Sequence, residues 1–447
     1  MSLKVSISGI RGIVGESLTP EVILNYTLGF SKILENGAIL IARDSRLSGE
    51  AILNLVKGAL NLCGRDVVDI GIAPTPVVLF GVANNKKIAG GIVITASHNP
   101  EQWNALKLVN GNGKFISQIE LDKINEFISK KDFTFAYYKN IGKCYFDDSI
   151  INSHKNRIFD FIDIDKIYKK KIKVAIDTVN GACGNYAIEF LKDLGCEVFP
   201  INTEPTGIFS HPAEPNPENL KELSAMCKYN KVDMGFGLDP DGDRVVIVDE
   251  KGDVLSEELT LAIAVKHYLE NYKKTNVVIN LSSSRIVEDI ANEYGASLFR
   301  AKTGEINVTE MMEKLDATIG GEGNGGVILF DINKCRDAFV AMALTLDYFA
   351  KRGINISTLN KELSRYVLLK EKFEIKDIDF NIIENKIKEI YSNEKIDTTD
   401  GIRVDFKDSW VLIRKSNTEP IIRVFVEAKT EKDAKELIKK IKELIDL

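Results

Sequence analysis

Short apolar runs that end abruptly in polar loops recur along this chain of 447 residues. Gly91–Ile94 ends in the loop Thr95–Pro100, and Val232–Leu238 ends in the loop Asp239–Arg244. Segments with a helical pattern separate such runs. Strands that alternate with helices form mostly parallel sheets, which bind their ligands at the carboxyl ends of the strands. The pattern therefore predicts an α/β fold whose chemistry lies in these loops.

The length of the chain and the repetition of this pattern predict several domains. Domains average roughly 100–150 residues, so three or four are expected. Three similar mixed α/β units are followed, from about Tyr366, by a strand, a lysine-rich helix, three strands and a terminal helix. We expect three α/β domains and a smaller C-terminal α+β domain around a central cleft, with boundaries at 1–148, 149–253, 254–364 and 365–447.

Charge and hydropathy exclude several classes of function. Lys and Arg number 59 and Asp and Glu number 65, which gives a net charge of −6. This mild acidic excess argues against nucleic acid as the main partner. The first residues lack the apolar run of a signal peptide, and no segment approaches the roughly 20 apolar residues of a membrane helix. The sequence thus predicts a cytoplasmic protein that does not contact a membrane.

The six cysteines are scattered along the chain, without a Cys-x-x-Cys pair. Most of them lie in apolar helix or strand patterns. This distribution is typical of reduced thiols in a protein core, and it argues against disulfides and against a zinc site.

The most specific local pattern is the acidic loop, in which Asp239, Asp241 and Asp243 alternate within five residues. Three oxygen donors so close together suit Mg²⁺ and repel one another without a cation. An EF-hand would need glycine where Arg244 stands and a helix before the loop, where the sequence predicts a strand. The loop therefore predicts a magnesium site, and the alternative is a solvated acidic turn.

Ser97 follows the apolar strand directly and is a candidate nucleophile. The residues around it do not match the Gly-x-Ser-x-Gly turn of hydrolases, and a serine at this place is also a common helix N-cap. His98 and Asn99 can donate hydrogen bonds beside it. Lys107, on the next predicted strand, would serve as a general base or pair with phosphate charge, unless it is a surface lysine at a strand edge.

Arg11 stands between Gly9 and Gly12 near the N-terminus. Two glycines that flank an arginine indicate a bend that presents the guanidinium group. The alternative is an ordinary turn with a solvated arginine.

Two further loops offer groups that can bind hydroxyls or an anion. Gly321–Gly326 presents Glu322 and Asn324 on a glycine-rich backbone, which suits hydroxyl recognition, and it lacks the Gly-Lys-Ser/Thr of a P-loop. Arg414–Pro420, between two predicted strands, combines an arginine with hydroxyl and amide groups, and Arg423 adds charge. Such a loop predicts an anion site, and a polar hairpin turn is the alternative.

Together these loops resemble the motifs of the α-D-phosphohexomutase superfamily, in the family's order and over nearly the whole chain. The motifs that show the resemblance are Gly9–Gly12, Thr95–Pro100, Asp239–Arg244, Gly321–Gly326 and Arg414–Pro420.

The resemblance implies an isomerase that interconverts hexose 1-phosphates and 6-phosphates. Ser97 would be the phosphoserine of the active enzyme, and a bisphosphorylated sugar would be the intermediate. The cofactors implied are Mg²⁺ and a hexose 1,6-bisphosphate as the priming phosphate donor. The partner would be a small sugar phosphate, and the chain would be a monomer or a homodimer.

The resemblance also implies a role for each motif residue. The metal would be held by Ser97, Asp239, Asp241 and Asp243. Around the reacting phosphoryl group the implied catalytic residues are Ser97, Lys107, Arg11, His98 and Arg244. The sugar and its distal phosphate would be bound by Lys302, Glu322, Asn324, Arg414, Ser416, Asn417, Thr418 and Arg423.

Departures from the family pattern concern the sugar. Asn324 and Gly326 stand where the family often has Ser and His, and Glu305 stands where some members have His. Glu419 favours glucosamine phosphate as the substrate, and phosphoglucomutase/phosphomannomutase activity is the alternative. Two other classes of function stay open at this point, a metal-dependent sugar phosphatase with a serine nucleophile and a noncatalytic sugar-phosphate sensor.

Overall fold

The structure is a computed structural model that describes residues 3–374, 380–415 and 421–444. The chain forms two compact units. Unit 1 comprises Met1–Thr260 and Gly325–Ser357, and unit 2 comprises Leu261–Asn324 and Thr358–Leu447. Each unit is therefore built from two separate stretches of sequence.

Strands and helices alternate through most of the described residues. The strands are β1 (Lys4–Ser6), β2 (Gly9–Ile13), β3 (Ala38–Arg43), β4 (Val67–Ile72), β5 (Ile88–Ile94), β6 (Trp103–Val109), β7 (Cys144–Phe146), β8 (Lys173–Asp177), β9 (Glu197–Ile201), β10 (Met234–Leu238), β11 (Val245–Asp249), β12 (Val277–Asn280), β13 (Leu298–Ala301), β14 (Ile319–Glu322), β15 (Gly326–Leu329), β16 (Asn333–Arg336), β17 (Val367–Glu374), β18 (Lys395–Asp397), β19 (Ile402–Asp405), β20 (Ser409–Lys415) and β21 (Ile421–Ala428). The helices are α1 (Pro20–Ile33), α2 (Gly49–Leu62), α3 (Thr75–Asn84), α4 (Gln118–Lys130), α5 (Ser149–Phe159), α6 (Ile164–Lys170), α7 (Gly184–Asp193), α8 (Lys221–Asn230), α9 (Glu257–Asn271), α10 (Ile286–Glu293), α11 (Glu305–Lys314), α12 (Ala338–Arg352), α13 (Ile356–Leu363), α14 (Phe380–Ile390) and α15 (Glu431–Leu444).

The first sheet of unit 1 has seven strands in the order β1-β2-β6-β5-β3-β4-β7. Its centre is parallel, because β3 pairs in parallel with both β4 and β5, whereas β6 runs antiparallel to β5 and to β2. All seven residues of β5 are buried, as expected for a central strand covered on both faces. The continuous apolar run before Ser97 thus folds as the buried strand that the sequence predicts.

Local sequence signals fix the ends of the helices in this part of the chain. Thr19 accepts a hydrogen bond from the backbone N–H of Val22, and Pro20 occupies the first turn of α1. Ser117 and Glu120 form a reciprocal capping box at the start of α4.

Unit 1 also contains a four-stranded sheet in the order β11-β10-β8-β9 and the antiparallel hairpin β15–β16. In the four-stranded sheet β10 is parallel to β8 and antiparallel to β11, so Asp239–Arg244 is the connection between two adjacent buried strands.

Unit 2 contains the parallel strands β13-β12-β14 and an antiparallel C-terminal sheet in the order β17-β21-β20-β19-β18. The C-terminal sheet has an aliphatic core under α14 and α15. Trp410 of β20 is fully buried in a separate cluster with Leu281 and Leu412, and the Arg403 guanidinium lies 4.0 Å from the centroid of its ring. None of the helices among the described residues is long and apolar enough to span a bilayer.

Several elements differ from the sequence expectation. Helices α3, α5 and α6 and the hairpin β15–β16 are not evident from the periodicity, and the segment 130–148, which lacks a clear period, contributes β7 to the first sheet. The first of the three strands expected after the lysine-rich helix is two strands, β18 and β19. Helix α3 shows the physical reason, because residues Thr75–Val82 are buried on every side and no apolar stripe can mark the helix.

Candidate active site

The acidic loop between β10 and β11 is buried. Asp239, Asp241 and Asp243 are each at most 1% exposed. Gly242 has φ +71°, and a Cβ there would lie 2.6 Å from the Sγ of Cys183, so only glycine fits this turn. The alternative of a solvated acidic turn is therefore wrong.

Each aspartate of this triad has at least one oxygen bound by a donor of the protein. Asp239 Oδ1 accepts hydrogen bonds from the backbone N–H groups of Asp243 (3.1 Å) and Arg244 (3.2 Å). Asp241 Oδ2 accepts from Thr75 Oγ1 (2.6 Å) and from Lys107 Nζ (2.5 Å). Asp243 Oδ2 accepts from Arg336 Nη2 at 2.6 Å.

The remaining carboxylate oxygens of the triad make it suitable for a metal ion. Asp241 Oδ1 and Asp243 Oδ1 are buried and have no hydrogen-bond partner within the part of the chain that the structure describes. One oxygen from each carboxylate lies within 4.8 Å of the others. Unpartnered carboxylate oxygens are costly to bury, and hard oxygen donors are the ligands that Mg²⁺ prefers. The residues present therefore fit a magnesium ion.

The electrostatics of the triad are uneven. Burial and the charges of Asp243 and Asp241 hold the pKa of Asp239 well above its usual value. Burial alone would also raise the pKa values of the other two carboxyls. The Lys107 ammonium instead lowers the pKa of Asp241, and the Arg336 guanidinium lowers that of Asp243.

Ser97 lies against this triad. Its Oγ donates a hydrogen bond to Asp239 Oδ2 at 2.9 Å, and its backbone has φ +50°, an uncommon value for a serine. Thr95 Oγ1 accepts a hydrogen bond from the Ser97 N–H at 3.0 Å, which supports the turn. The chain then returns as β6, so the alternative of a helix N-cap is wrong.

Arg46 supports the serine loop and was not evident from the sequence as a site residue. Its Nη2 donates to the carbonyl oxygens of Ser97 (2.8 Å) and Asn99 (2.5 Å), and its Nη1 pairs with Asp44. The side chain is buried, and its guanidinium lies 4.9 Å from the ring centroid of Phe209. This buried arginine thus stabilises the strained turn through hydrogen bonds to the backbone carbonyls of the turn.

Two more cations lie beside Ser97. Arg11 Nη1 donates to Asn99 Oδ1 at 2.5 Å, so this arginine is not solvated, and it lies within strand β2 rather than in the expected bend. The charge of Arg244, burial and the charge of Arg11 lower the pKa of His98 to about 2. The imidazole, whose Nδ1 is 3.4 Å from Ser97 Oγ, is therefore uncharged near neutral pH.

Lys107 lies on β6 and is 4% exposed, so the alternative of a surface lysine is wrong. Its Nζ is 2.5 Å from Asp241 Oδ2 and 3.6 Å from Asp243 Oδ2. Burial would lower its pKa, but the two carboxylates raise it above the ordinary value. Lys107 is accordingly a protonated, charged group in this site.

Unit 2 contains the glycine-loop residues. Glu322 Oε1 accepts hydrogen bonds from Asn280 Nδ2 (2.8 Å) and from the Gly304 N–H (2.9 Å). Asn324 Oδ1 is buried without a hydrogen-bond partner among the described residues. Lys302, at the end of β13, is exposed.

The C-terminal sheet of unit 2 gathers cations. Arg414 on β20 is directly opposite Arg423 on β21, which is directly opposite Lys372 on β17. Like charges in one cross-strand row repel, so the row favours a bound anion. Asp400 binds both the Thr303 N–H (3.0 Å) and Arg414 Nη2 (3.3 Å).

The structure thus brings together the predicted residues of each unit. In unit 1 the serine, lysine, histidine, two arginines and three aspartates adjoin one another. In unit 2 Asp400 links the loop after Lys302 to Arg414. The predicted phosphate-binding residues Ser416, Asn417 and Thr418 lie outside the described residues. Thr75, Arg46, Arg336 and Lys372 were missed, because no local motif marks them.

Comparison with protein families accounts for nearly the whole chain. Four domain models of phosphoglucomutase/phosphomannomutase match in order. They are alpha/beta/alpha domain I over residues 3–135, domain II over 151–252, domain III over 257–366 and the C-terminal domain over 371–444.

Individual proteins are similar over their full length. A phosphoglucomutase/phosphomannomutase of Thermococcus kodakarensis is 37% identical over 442 residues, covering 96% of this chain and 95% of the relative. A probable phosphoglucosamine mutase of Methanopyrus kandleri is 34% identical, covering 96% and 95%.

Among solved structures, a phosphoglucomutase/phosphomannomutase family protein of Burkholderia thailandensis aligns with a TM-score of 0.87 and 25% identity, covering 99% of this chain and 98% of that protein. Fold, motifs and sequence agree. The chain belongs to the phosphoglucomutase/phosphomannomutase family of phosphohexomutases, isomerases that transfer a phosphoryl group within a sugar phosphate.

Proposed function

We propose that the chain interconverts glucosamine 1-phosphate and glucosamine 6-phosphate, with Ser97 as the phosphate carrier. The main support is the 2.9 Å hydrogen bond from Ser97 Oγ to Asp239 Oδ2, because it puts the hydroxyl beside a carboxylate triad that fits a metal ion. Phosphoryl transfer depends chiefly on positioning and on neutralisation of charge, and this arrangement supplies both.

In unit 1, Asp239, Asp241 and Asp243 would hold Mg²⁺ together with phosphorylated Ser97. When bound, the metal ion would neutralise charge on the transferring phosphoryl group. Protonated Lys107 balances the buried carboxylates and assists proton transfer at the sugar hydroxyl. Arg11 and Arg244 stabilise charge, and neutral His98 offers hydrogen bonding beside the serine.

In unit 2, Glu322 and Asn324 would bind sugar hydroxyls, with Lys302 nearby in the same unit. Arg414 and Arg423, with Ser416, Asn417 and Thr418, would bind the phosphate that is not reacting. The cation row of β20, β21 and β17 supports this assignment.

The proposed reaction has two transfers. The Oγ–P bond of phosphorylated Ser97 breaks as the 6-hydroxyl of the hexose 1-phosphate forms a new O–P bond, and the proton of that hydroxyl passes to the released Ser97 Oγ. The resulting 1,6-bisphosphate then reverses its orientation on the enzyme. Its 1-phosphoryl group returns to Ser97, and the hexose 6-phosphate leaves. A hexose 1,6-bisphosphate added from solution primes a dephosphorylated chain by the same second transfer.

The domain functions follow from this scheme. Residues 1–148 would supply the phosphoserine, 149–253 the metal ligands, 254–364 the sugar contacts and 365–447 the distal phosphate contacts. For the sugar, Glu419 favours glucosamine. The two relatives described above include a phosphoglucomutase/phosphomannomutase as well as a probable phosphoglucosamine mutase, so glucose and mannose phosphates are the alternative substrates.

The test compares Ser97→Ala with the unaltered chain in a coupled assay on the 1-phosphates of glucosamine, glucose and mannose. We expect Ser97→Ala to abolish turnover of all three and the unaltered chain to prefer glucosamine 1-phosphate. A Ser97→Ala variant that retains the original rate would disprove the carrier role. Release of inorganic phosphate in place of the isomerised sugar would indicate a phosphatase.

A further inference from the structure

We infer that Arg336 and Thr75 make the metal site selective for Mg²⁺ over Ca²⁺, because they restrict two of the three aspartates to one metal-facing oxygen each. This inference rests on the proposed magnesium role of the triad. Neither residue belongs to a motif of the sequence, and both are positioning residues that act through the carboxylates they bind.

The restriction is visible oxygen by oxygen. Arg336 Nη2 binds Asp243 Oδ2 at 2.6 Å, and Thr75 Oγ1 binds Asp241 Oδ2 at 2.6 Å, where Lys107 Nζ also binds. The other oxygen of each carboxylate is buried and has no hydrogen-bond partner among the described residues, and Arg244 Nε lies 3.6 Å from Asp243 Oδ1. Two aspartates can therefore offer a cation one oxygen apiece.

The third aspartate is restricted by the backbone. Asp239 Oδ1 accepts two backbone N–H groups, and Oδ2 faces Ser97 Oγ. All three carboxylates are thus set as monodentate ligands, and the ligand oxygen of Asp239 is the one beside the phosphate carrier.

The corner between β16 and α12 holds Arg336 in place. The next residue, Asp337, caps α12 and lies 2.7 Å from His154 Nε2, in a fully buried pair. The following N–H, of Ala338, donates to the Gly242 carbonyl of the acidic loop at 3.1 Å. The guanidinium is therefore built into the same rigid corner that contacts the loop.

Coordination chemistry connects this geometry to selectivity. Mg²⁺ needs a near-octahedral set of single oxygens at about 2.0–2.1 Å, whereas Ca²⁺ accepts about 6–8 oxygens at about 2.3–2.6 Å and often takes both oxygens of a carboxylate. Loss of Arg336 would leave Lys107 Nζ, at 3.6 Å, as the remaining cation near Asp243 Oδ2 among the described residues, beyond hydrogen-bond distance. Asp243 could then bind a cation through both oxygens, which favours the larger ion.

The test measures binding of metal alone, without turnover. Mn²⁺ binding to each variant is followed by electron paramagnetic resonance of the free ion, and Mg²⁺ and Ca²⁺ are then titrated as competitors. The variants are Arg336→Met, Arg336→Lys and Thr75→Val, and Arg157→Met is the control. Arg157 is exposed and donates to the Asp331 carbonyl in the turn of the same β15–β16 hairpin. All samples are matched in Ser97 phosphorylation by mass spectrometry.

We expect Arg336→Met to lower the preference for Mg²⁺ over Ca²⁺ by about tenfold, the lower end of typical effects of groups that orient metal ligands. Arg336→Lys should restore most of the preference, since it keeps a donor for Asp243 Oδ2. Thr75→Val should lower the preference for Mg²⁺ over Ca²⁺ by a smaller factor. Because this substitution leaves the net charge unchanged, its effect reports the orientation of Asp241 rather than the charge of the site.

The inference would be overturned if the ratio of Mg²⁺ affinity to Ca²⁺ affinity were unchanged in both Arg336→Met and Thr75→Val. It would also be overturned if this ratio changed equally in Arg157→Met. If Arg336→Met does not fold, the metal preference of Thr75→Val alone tests the inference. A wild-type chain that binds none of the three ions would instead disprove the proposed magnesium role, so the two failures are distinguishable.

Discussion

The individual side chains of the candidate site are buried charged groups that pair with one another. Three aspartates, a lysine and an arginine lie almost fully out of solvent, and each carboxylate accepts at least one hydrogen bond. Removal of one partner from such a set leaves an uncompensated charge in a medium of low dielectric constant, which costs far more than a surface pair contributes.

Lys107→Met should therefore destabilise the metal-free chain by about 3–5 kcal/mol, because Asp241 loses its buried counter-ion. Mutase activity should fall by at least about 100-fold, the lower range for loss of a group that assists proton transfer. Denaturant unfolding followed by circular dichroism gives the free energy. Lys123→Met, on the exposed face of α4, is the control and should change it by less than about 0.5 kcal/mol. Equal effects of the two substitutions would contradict the role of Lys107.

At the scale of elements, the loop between β9 and α8 shows how an irregular segment is fixed. It contains three prolines within His211–Pro217, and two ion pairs tie it to the four-stranded sheet at the edge where the parallel strands β8 and β10 end. His211 Nε2 lies 3.2 Å from Asp177 Oδ2 at the end of β8, and Glu214 lies 3.3 Å from Arg244 Nη1 in the acidic loop. The loop thus helps to orient a proposed catalytic arginine.

The His211–Asp177 pair predicts a pH dependence. Burial lowers the pKa of His211, but the hydrogen bond and charge of Asp177 outweigh it, so the pKa is raised above 6.5. A histidine whose pKa is higher in the native state than in the unfolded state stabilises the fold fully at pH values below its unfolded pKa. This stabilisation is lost as the pH rises through the native pKa.

Compared with His211→Gln, the unaltered chain should be more stable by about 1 kcal/mol near pH 6, since the pair is largely buried, with the His211 side chain 12% and the Asp177 side chain 1% exposed. The difference should shrink as the pH is raised above about 6.5. Urea denaturation of both proteins across this range checks the prediction. A difference that grows with pH would show that the sign is wrong.

At the scale of the whole molecule, the division into two units separates the proposed chemistry. All three aspartates, Ser97, Lys107 and the residues that restrict the triad belong to unit 1, whereas Glu322, Asn324, Arg414 and Arg423 belong to unit 2. A ligand that binds only the native form of one unit stabilises that unit by mass action.

Hydrogen exchange with Mg²⁺ alone should therefore slow amide exchange in unit 1, most strongly around the loops after β5 and β10 and at the end of β16. Strands β17 to β21 of unit 2 should exchange at the rate of the metal-free chain. The control is Asp241→Asn, which should lose the effect. Equal protection of both units by the metal alone would contradict the assignment of the metal site to unit 1.

Much of the fold and of the site is predictable from sequence patterns that are local. The buried strand before Ser97, the cap at Thr19, the acidic loop and the α+β character of the C-terminal part all follow from apolar runs, capping residues and charge spacing within a few residues. Helix α3 and the hairpin β15–β16 lack such patterns, the helix because burial on all sides removes its apolar stripe.

Local motifs are sufficient to indicate the family, the serine proposed as the phosphate carrier and the three aspartates, because these residues lie in short motifs at the ends of strands. The side chains that restrict and support them become evident only in the folded chain. Arg336 meets Asp243 across 93 positions, Thr75 meets Asp241 across 166, and Arg46 meets the Ser97 carbonyl across 51. Spacing along the chain encodes the period of a strand or helix, whereas a pair formed over such separations depends on how the sheets and their connections are arranged in space.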